Sequence, residues 1–149
     1  MAAFEPLLSR LSTGKTAVVK SLGEWAGAPP LRPECSVYGE TLRCIDEAEH
    51  FIWLENQYVF GSLAGEGIEN KVLRAVLQRL RRAISRHETF RVFVLVPFPE
   101  ETDAQLRTIV RYENRSLVWG PFSIAGRIAA EFPGVDLCDY MTVMRARCF

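Results

Sequence analysis

Apolar residues at changing spacing divide the N-terminal third of the chain into a strand, a loop and a helix. The β-branched run at residues 16–22 predicts a strand, and glycine and proline residues mark a loop over 23–33. Beyond the loop, the apolar positions recur at helical spacing. Ser36 can accept hydrogen bonds from the free N–H groups at the start of this helix, and we expect the helix to end near His50.

Two strands and a second helix are predicted in the middle of the chain. The aromatic and branched run 51–54 (FIWL) indicates a buried strand, after which several glycines break the chain into a loop. Residues 70–86 place apolar side chains on one face and predict an amphipathic helix. Residues 90–96 (FRVFVLV) are apolar almost throughout, which is typical of a central strand covered on both faces. Pro97 and Pro99 end this strand.

The C-terminal third predicts two more helices and a last strand. A Thr-x-x-Gln capping box begins at Thr102 and opens a helix that continues toward Trp119. Apolar residues at helical spacing over 122–132 predict another helix, and residues 140–147 predict a strand. Because strands alternate with helices of this length, we expect an α/β fold with a mixed, largely parallel sheet flanked by helices.

Composition excludes several classes of protein. The 149 residues suffice for one domain with its own core, and 48% hydrophobic and 24% charged residues are ordinary globular values. Eighteen Lys and Arg balance 18 Asp and Glu, so no overall field draws the chain to nucleic acid or to an anionic membrane. No apolar run is long enough to span a membrane, and the first residues lack the pattern of a secretory signal.

The cysteines and histidines do not predict a metal site or a catalytic pair. The four cysteines lie singly, without C-x-x-C spacing, so we expect free thiols, no metal and no cofactor, with Cys35 and Cys44 as small buried residues. Free thiols favour the cytoplasm. His50 and His87 have no nucleophile, carboxylate or lysine at a spacing that would organise a general base, so a helix-capping His50 and a solvated His87 are the simpler explanations.

A short motif near the N-terminus resembles the end of a phosphate-binding loop. Gly14, Lys15 and Thr16 match that ending, but the glycine required five positions earlier is Ser9. The motif also precedes a predicted strand, whereas a phosphate cradle follows a strand and opens a helix. A nucleotide-binding α/β protein is therefore the weakest of our hypotheses.

A run of basic residues covers the helix predicted in the middle of the chain and its flanks. Its members are Lys71, Arg74, Arg79, Arg81, Arg82, Arg86 and Arg91. Most of them are predicted to lie opposite the apolar face, where they would suit anionic lipid headgroups or nucleic acid phosphates. Because aromatic residues for base stacking are missing from the helix, lipid is the better partner, with Lys71, Arg74, Arg81 and Arg82 as the candidate face. A solvated helix face is the commoner explanation of such a pattern.

The most informative stretch is the run HFIWLENQYVF at residues 50–60. As a strand it would deliver Glu55, Asn56 and Gln57 to its C-terminal end, which is where ligands bind in parallel α/β sheets. A carboxylate flanked by two amides can orient a lysine, a histidine or a bound headgroup through hydrogen bonds. Alternatively, these side chains only cap the strand and turn the loop, and their spacing alone slightly favours this second explanation.

Five segments of the chain, in order, resemble the eukaryotic phospholipase D enzymes. Residues 50–62 (HFIWLENQYVFGS) resemble the family segment F-I-Y-I-E-N-Q-Y/F-F. The other similar segments are 17–27 (AVVKSLGEWAG), 36–51 (SVYGETLRCIDEAEHF), 90–99 (FRVFVLVPFP) and 111–124 (RYENRSLVWGPFSI). From this resemblance we expect residues 15–149 to form a partial phospholipase D-like domain, preceded by a poorly ordered extension over residues 1–14.

The resemblance implies a chemistry that these residues do not complete. Family members cleave phosphatidylcholine to phosphatidate and choline with two His-x-Lys-x-x-x-x-Asp motifs, in which one histidine attacks phosphorus and the other protonates the leaving alcohol. No lysine stands two residues after His50 or His87, so neither motif is present. The matched region corresponds to the part of the family between the motifs. The resemblance thus implies that Glu55, Asn56 and Gln57 support the active site or headgroup pocket without performing the covalent step.

Two hypotheses follow for the whole chain. The first is an internal part of a phospholipase D, from a partial gene or a truncated copy, that is inactive by itself and requires the missing remainder of the fold and a membrane surface to which it binds peripherally. The second is a non-catalytic module, derived from such an enzyme, that binds a lipid surface or a protein. The first hypothesis predicts exposed apolar surface where the remainder would pack, with Trp53 and Trp119 buried and residues 140–149 at an open edge.

Overall fold

The computed structural model describes three stretches of the chain: residues 19–22, 34–97 and 104–146. The expected extension over 1–14, the loop over 23–33 and the start of the capping box at Thr102 lie outside these residues. The chain divides into two compact units, Met1–Tyr38 and Gly39–Phe149.

The first unit contains a short antiparallel strand pair. Strand β1 (Ser21–Leu22) pairs with β2 (Glu34–Cys35), and Ser21 lies opposite Cys35. Of the strand predicted over 16–22, the structure therefore confirms the last two residues, and the described Val19 and Lys20 lie outside it. The Ser36 hydroxyl accepts a hydrogen bond from Lys20 N (3.0 Å) and donates one to Lys20 O (2.9 Å).

The remaining helices and strands match the predicted order. They are α1 (Ser36–Glu47), β3 (Phe51–Glu55), α2 (Val72–Ser85), β4 (Arg91–Pro97), α3 (Ala104–Leu117), α4 (Ile124–Glu131), a 3-10 turn (Leu137–Asp139) and β5 (Met141–Ala146). Helix α1 ends three residues before His50, and the other boundaries lie within two residues of the predicted ones. None of the helices in the described stretches has both the length and the apolar character needed to cross a bilayer.

Three parallel strands form the sheet of the second unit. Strand β4 lies in the centre, with β3 on one side and β5 on the other. Phe51 is paired with Arg91 at one end of the β3–β4 ladder, and Val92 is paired with Met141 in the β4–β5 ladder. The predicted α/β class and the parallel sheet are confirmed, and β5 lies at an edge of the described sheet, as expected for the region 140–149.

One face of the sheet packs against the helices. The buried residues on this face of the strands are Ile52, Val92, Val94, Val96 and Met141. The helices complete the core with Leu73, Val76, Leu77, Leu80, Ala83, Ile84, Leu117, Ile124 and Ile128. Burial of a side chain of leucine or isoleucine size contributes about 1.5–3 kcal/mol, so this layer supplies most of the driving force for folding. The apolar face predicted for α2 is confirmed.

The opposite face of the sheet is open. Phe51 is 61% exposed and Trp53 is 51% exposed, while Phe93, whose ring centroid lies 5.8 Å from that of Trp53, is half-buried. Crossovers between parallel neighbours are right-handed in nearly all proteins, and two such crossovers in one direction, from β3 to β4 to β5, place their helices on the same face of the sheet. We call this surface, made of Phe51, Trp53 and Phe93, the open face.

Three burial predictions are wrong for the same reason. Strand β3 is not buried throughout, since only Ile52 of its five residues is fully buried, and β4 is fully buried on one face and only partly covered on the other. Trp53 and Trp119 are both exposed instead of buried. An aromatic residue in a sequence shows that a side chain gains from burial, but the pattern does not say whether a neighbouring element covers it.

A tight turn joins α3 to α4. Ser123 precedes α4, where its hydroxyl accepts a hydrogen bond from Gly126 N (3.0 Å) and donates one to Gly120 O (2.8 Å). Gly126 sits directly against the turn, because a Cβ placed there would lie 2.2 Å from Gly120 O. Glycine at position 126 is therefore required by close approach of two backbone segments.

We expect Gly126→Ala to destabilise the chain by about 1–3 kcal/mol, because the added methyl group must displace the Gly120 carbonyl. Gly39→Ala is the matched control, since an added Cβ would meet no atom within 4 Å beyond its chain neighbours and the backbone of its own helix, and an alanine in helix α1 should stabilise by about 0.5–1 kcal/mol. Urea denaturation followed by circular dichroism measures both. Equal effects of the two substitutions would contradict the packing described for the turn.

Candidate functional site

Glu55, Asn56 and Gln57, which we call the rim, lie at the C-terminal end of β3. Glu55 is the last residue of the strand, and Asn56 N extends the ladder by donating to Leu95 O (3.3 Å). All three side chains are exposed. The rim thus occupies the edge of the parallel sheet that the sequence pattern predicted, which is the edge where ligands bind in such folds.

Each rim side chain makes a hydrogen bond within its own segment. Trp53 Nε1 donates to Glu55 Oε2 (3.1 Å), so the carboxylate lies on the side of the open face. Asn56 Oδ1 accepts from Gln57 N (3.1 Å), and Gln57 Nε2 donates to Tyr58 OH (3.3 Å). A carboxylate offers about four acceptor positions and an amide offers two donors, so these bonds orient the rim and leave capacity for a ligand.

A cavity of about 190 Å³ lies beside the rim. The residues that line it include aliphatic, aromatic and amide types: Leu54, Leu73, Tyr58, Phe60, Asn56 and Asn70. Sites for drug-sized ligands measure about 300–1,000 Å³, so this cavity suits a small headgroup. Its mixed lining can enclose an alkyl group and bond a polar one.

Helix α3 supports the loop that follows the rim. Glu113 and Ser116 are buried, and they accept hydrogen bonds from Val59 N (3.0 Å) and Gly61 N (3.2 Å) respectively. Arg145 Nη1 lies 3.5 Å from the second carboxylate oxygen of Glu113. These contacts fix the backbone next to the rim, because a buried amide N–H without an acceptor is costly.

Sequence reasoning missed Glu113 as part of the site, although a signal was present. Glu113 lies four residues after Ile109 and four before Leu117, so helical spacing places it on the apolar face of α3. A carboxylate on a buried face needs partners, and that requirement could have singled out the residue. The identity of those partners, Val59 and Arg145, depends on contacts between distant segments.

The loop between the rim and α2 is closed by a close backbone approach at Gly61. Ser62 N donates to Asn70 O (2.8 Å), and a Cβ at Gly61 would lie 2.7 Å from the same oxygen. The predicted loop is therefore confirmed, and its first glycine has a steric role.

The four residues of the candidate lipid face differ in their surroundings. Arg81 Nε donates to Glu131 Oε2 (2.7 Å), and Arg82 Nη1 donates to Asp46 Oδ1 (2.7 Å). Lys71 and Arg74 are exposed. Arg81 and Arg82 are thus held by carboxylates, and the role of the group as a lipid face stays a prediction.

Arg79 lies inside the protein, unlike most of the basic run. Its side chain is 3% exposed, its Nε donates to Ala48 O (2.7 Å), and its Nη2 lies 2.7 Å from a carboxylate oxygen of Glu88. The guanidinium carbon also lies 3.8 Å from the centre of the Phe90 ring. This position agrees with helical spacing, since Arg79 follows the buried Val76 by three residues. Arg79 therefore stabilises the fold through these contacts.

No metal site or histidine centre is visible in the described stretches, where no three His, Cys, Asp or Glu residues gather to hold an ion. His50 and His87 are exposed. Cys35 and Cys44 are exposed free thiols, so their predicted burial is wrong; in α1 only the neighbouring Ile45 is fully buried. A hydrogen bond to Asp136 and the charge of that carboxylate raise the pKa of the exposed Cys138 thiol.

Comparison with known proteins relates the chain to one group of enzymes. It is 33% identical to phospholipase D B of Dictyostelium discoideum over 141 residues, which cover 91% of this chain and 11% of that protein. It is 34% identical to phospholipase D1 of Schizosaccharomyces pombe over 139 residues, 87% of this chain and 10% of that protein. Phospholipase D zeta 1 of Arabidopsis thaliana is 29% identical over 141 residues, 89% of this chain and 13% of that protein.

The likeness extends over most of this chain and over a small part of each relative. The chain spans about a tenth of the length of these curated relatives. No family model matches it.

We expect Glu113→Ala to destabilise the chain by about 2–4 kcal/mol, because it leaves Val59 N–H without an acceptor and Arg145 without its carboxylate. Glu131→Ala removes the carboxylate that pairs with Arg81 and that is more exposed than Glu113. It should lower the free energy of unfolding by about 1 kcal/mol or less. Denaturant unfolding measures the free energy of unfolding of both variants. Hydrogen exchange of the Val59 amide should accelerate in Glu113→Ala and stay unchanged in Glu131→Ala. Unchanged exchange at Val59 would contradict the anchoring role of Glu113.

Proposed function

This chain belongs to the phospholipase D family, and on that basis we propose that it builds one wall of a phospholipid-cleaving site and performs no cleavage by itself. The observation that carries the proposal is the position of the rim, in which one carboxylate and two amides end a parallel strand beside a headgroup-sized cavity. A site of this kind can hold a substrate in place.

The covalent step requires residues that these 149 do not contain. Attack on phosphorus needs an imidazole held beside a phosphate-binding cation, and protonation of the leaving alcohol needs a second acid. His50 and His87 are exposed, and no lysine follows either of them at the family spacing. In this proposal the two His-x-Lys-x-x-x-x-Asp motifs therefore belong to segments outside the chain, and the chain supplies positioning.

The substrate in this proposal is phosphatidylcholine. Its choline group carries a fixed positive charge without N–H donors, so carboxylates and aromatic faces bind it. Glu55 supplies the carboxylate, and Tyr58 supplies an aromatic ring next to the cavity. Asn56 and Gln57 can bond the neighbouring phosphate or a catalytic side chain, because amides both donate and accept. The site would work at the surface of a membrane, with the chain in the cytoplasm and bound peripherally.

The open face supports a missing remainder of the fold. Sheets made of parallel strands are normally covered on both sides, yet Phe51 and Trp53 are half or more exposed here. Burial of such aromatic side chains is worth about 1.5–3 kcal/mol each, so a covering layer would stabilise the sheet substantially. We assign that layer to the parts of the longer protein that carry the motifs.

A non-catalytic module derived from the family is the second candidate. The same open face supports it, because exposed aromatic residues can also bind an unrelated protein or a lipid surface. Sequencing the transcript on both sides of this reading frame distinguishes the two. Motifs in frame favour the enzyme part, whereas stop codons on both sides without a motif favour the module.

We expect the purified chain to release no choline from phosphatidylcholine vesicles, and a longer product that includes both motifs to release it. In that longer product Glu55→Gln should lower kcat/KM about tenfold, because a neutral amide attracts the choline cation less than a carboxylate does. Glu49→Gln, at an exposed position outside the rim, is the matched control and should leave the rate unchanged. Choline release by the isolated chain would refute the proposal that it performs no cleavage by itself.

A further inference from the structure

Among the residues that the structure describes, the turn between α3 and α4 exposes the largest apolar side chains outside the open face. Trp119 is 59% exposed and Phe122 is 66% exposed, and Val118 and Pro121 beside them are exposed as well. We call residues 118–122 the hairpin tip. Tryptophan and phenylalanine at this exposure gain considerably from any apolar surroundings that can reach them.

Hydrogen bonds and one glycine define the backbone of the hairpin tip. Val118 N and Trp119 N both donate to Asn114 O (2.8 and 2.6 Å), which ends α3. Gly120 then takes a φ of +83°, a conformation that favours glycine. The Ser123 hydroxyl bonds Gly120 O and caps α4. These hydrogen bonds fix the backbone of the turn in which Trp119 and Phe122 are exposed.

A stripe of arginines leads along α3 toward the hairpin tip. Arg107, Arg111 and Arg115 follow one another at intervals of four residues, so they lie on one side of the helix, and all three are exposed. Arg111 and Arg115 form no ion pair with any residue that the structure describes. A fourth arginine, Arg127, donates from Nε to Phe122 O (3.1 Å) and lies 5.6 Å from the centre of the Phe122 ring.

The carboxylates of the hairpin are already engaged. Between positions 104 and 131 the sequence contains two of them, Glu113 and Glu131. Glu113 is buried near Arg145, and Glu131 bonds Arg81 of α2. The surface of the hairpin is therefore strongly cationic, although the whole chain has a formal net charge of +0.

From this juxtaposition we propose that the α3–α4 hairpin binds an anionic phospholipid surface, with Trp119 and Phe122 inserted at the headgroup level and the arginines on lipid phosphates. Indole and phenyl rings favour this level of a bilayer, and arginines beside them gain from the negative surface potential. Nucleic acid fits less well, because the aromatic residues stand at the tip and do not alternate with the arginines as stacking requires.

This surface differs from the lipid face predicted from the sequence. Two cations of that face, Arg81 and Arg82, are held by Glu131 and Asp46, whereas the arginine stripe of α3 faces outward. The inference rests on the proposed function only in taking a phospholipid as the partner, and it does not require cleavage.

The fluorescence of Trp119 gives a direct test on the full chain. With Trp25→Phe and Trp53→Phe in the background, Trp119 is the only tryptophan. Vesicles of equimolar phosphatidylcholine and phosphatidylserine should shift its emission to the blue and protect it from an aqueous quencher, and added salt should weaken the binding. Vesicles of phosphatidylcholine alone should have little effect. Emission that does not change with anionic vesicles would overturn the inference.

Matched charge reversals locate the surface. Arg111→Glu with Arg115→Glu should weaken sedimentation with anionic vesicles about 25-fold or more, because each cation near such a surface contributes about a fivefold factor. Lys71→Glu with Arg74→Glu makes the same change of charge on α2 and should alter binding less than twofold. Circular dichroism shows whether both variants are folded. The reverse order of effects would overturn the inference and would favour the α2 face instead.

Trp119→Ala with Phe122→Ala separates insertion from charge attraction. We expect this variant to lose most of its binding, whereas Phe51→Ala, which removes an aromatic ring that is 61% exposed on the open face, should keep it. Equal binding by both variants would overturn the inserted position of the hairpin tip. Binding through the hairpin in a protein whose longer form releases no choline would refute the proposed function and leave this inference standing.

Discussion

Parallel pairing of β3 with β4 and of β4 with β5 brings the carboxyl ends of three strands to one edge of the sheet. The rim lies at this edge because β3 ends at Glu55, and Glu113 can reach the backbone beyond the rim because α3 packs beside it. The same pairing, with right-handed crossovers, places the helices on one face and leaves the other open. The candidate site and the open face therefore both result from the parallel pairing of the strands.

Arginines serve two different purposes in this chain. On α2 they hold the fold together: Arg79 is buried against Phe90 and Glu88, and Arg81 and Arg82 join α2 to α4 and α1. On α3 the arginine stripe is exposed, and Arg111 and Arg115 form no ion pair with any residue in the described part of the chain. A basic residue is informative about a ligand only after its carboxylate partners inside the protein have been identified, since a charge already paired at close range attracts a distant anion less.

Much of the fold and part of the site followed from the sequence. Apolar spacing predicted α2, and the run after Phe90 predicted the central strand β4; both are confirmed because burial of these residues is the main source of stability. The position of the rim followed from where β3 ends. Trp53, Trp119 and Cys44 were predicted to be buried and are exposed, because a hydrophobic side chain gains from burial only where another element covers it.

The sequence by itself determined the order of strands and helices, the α/β class and the residues that form the rim, since these depend on neighbours within one or two turns of the chain. Tertiary structure decided which face of the sheet stayed open, which arginines were neutralised and that Glu113 anchors the loop beyond the rim. Those features arise between residues tens of positions apart. Packing in three dimensions decides which of these residues contact each other, and the local periodicity of the sequence does not indicate those contacts.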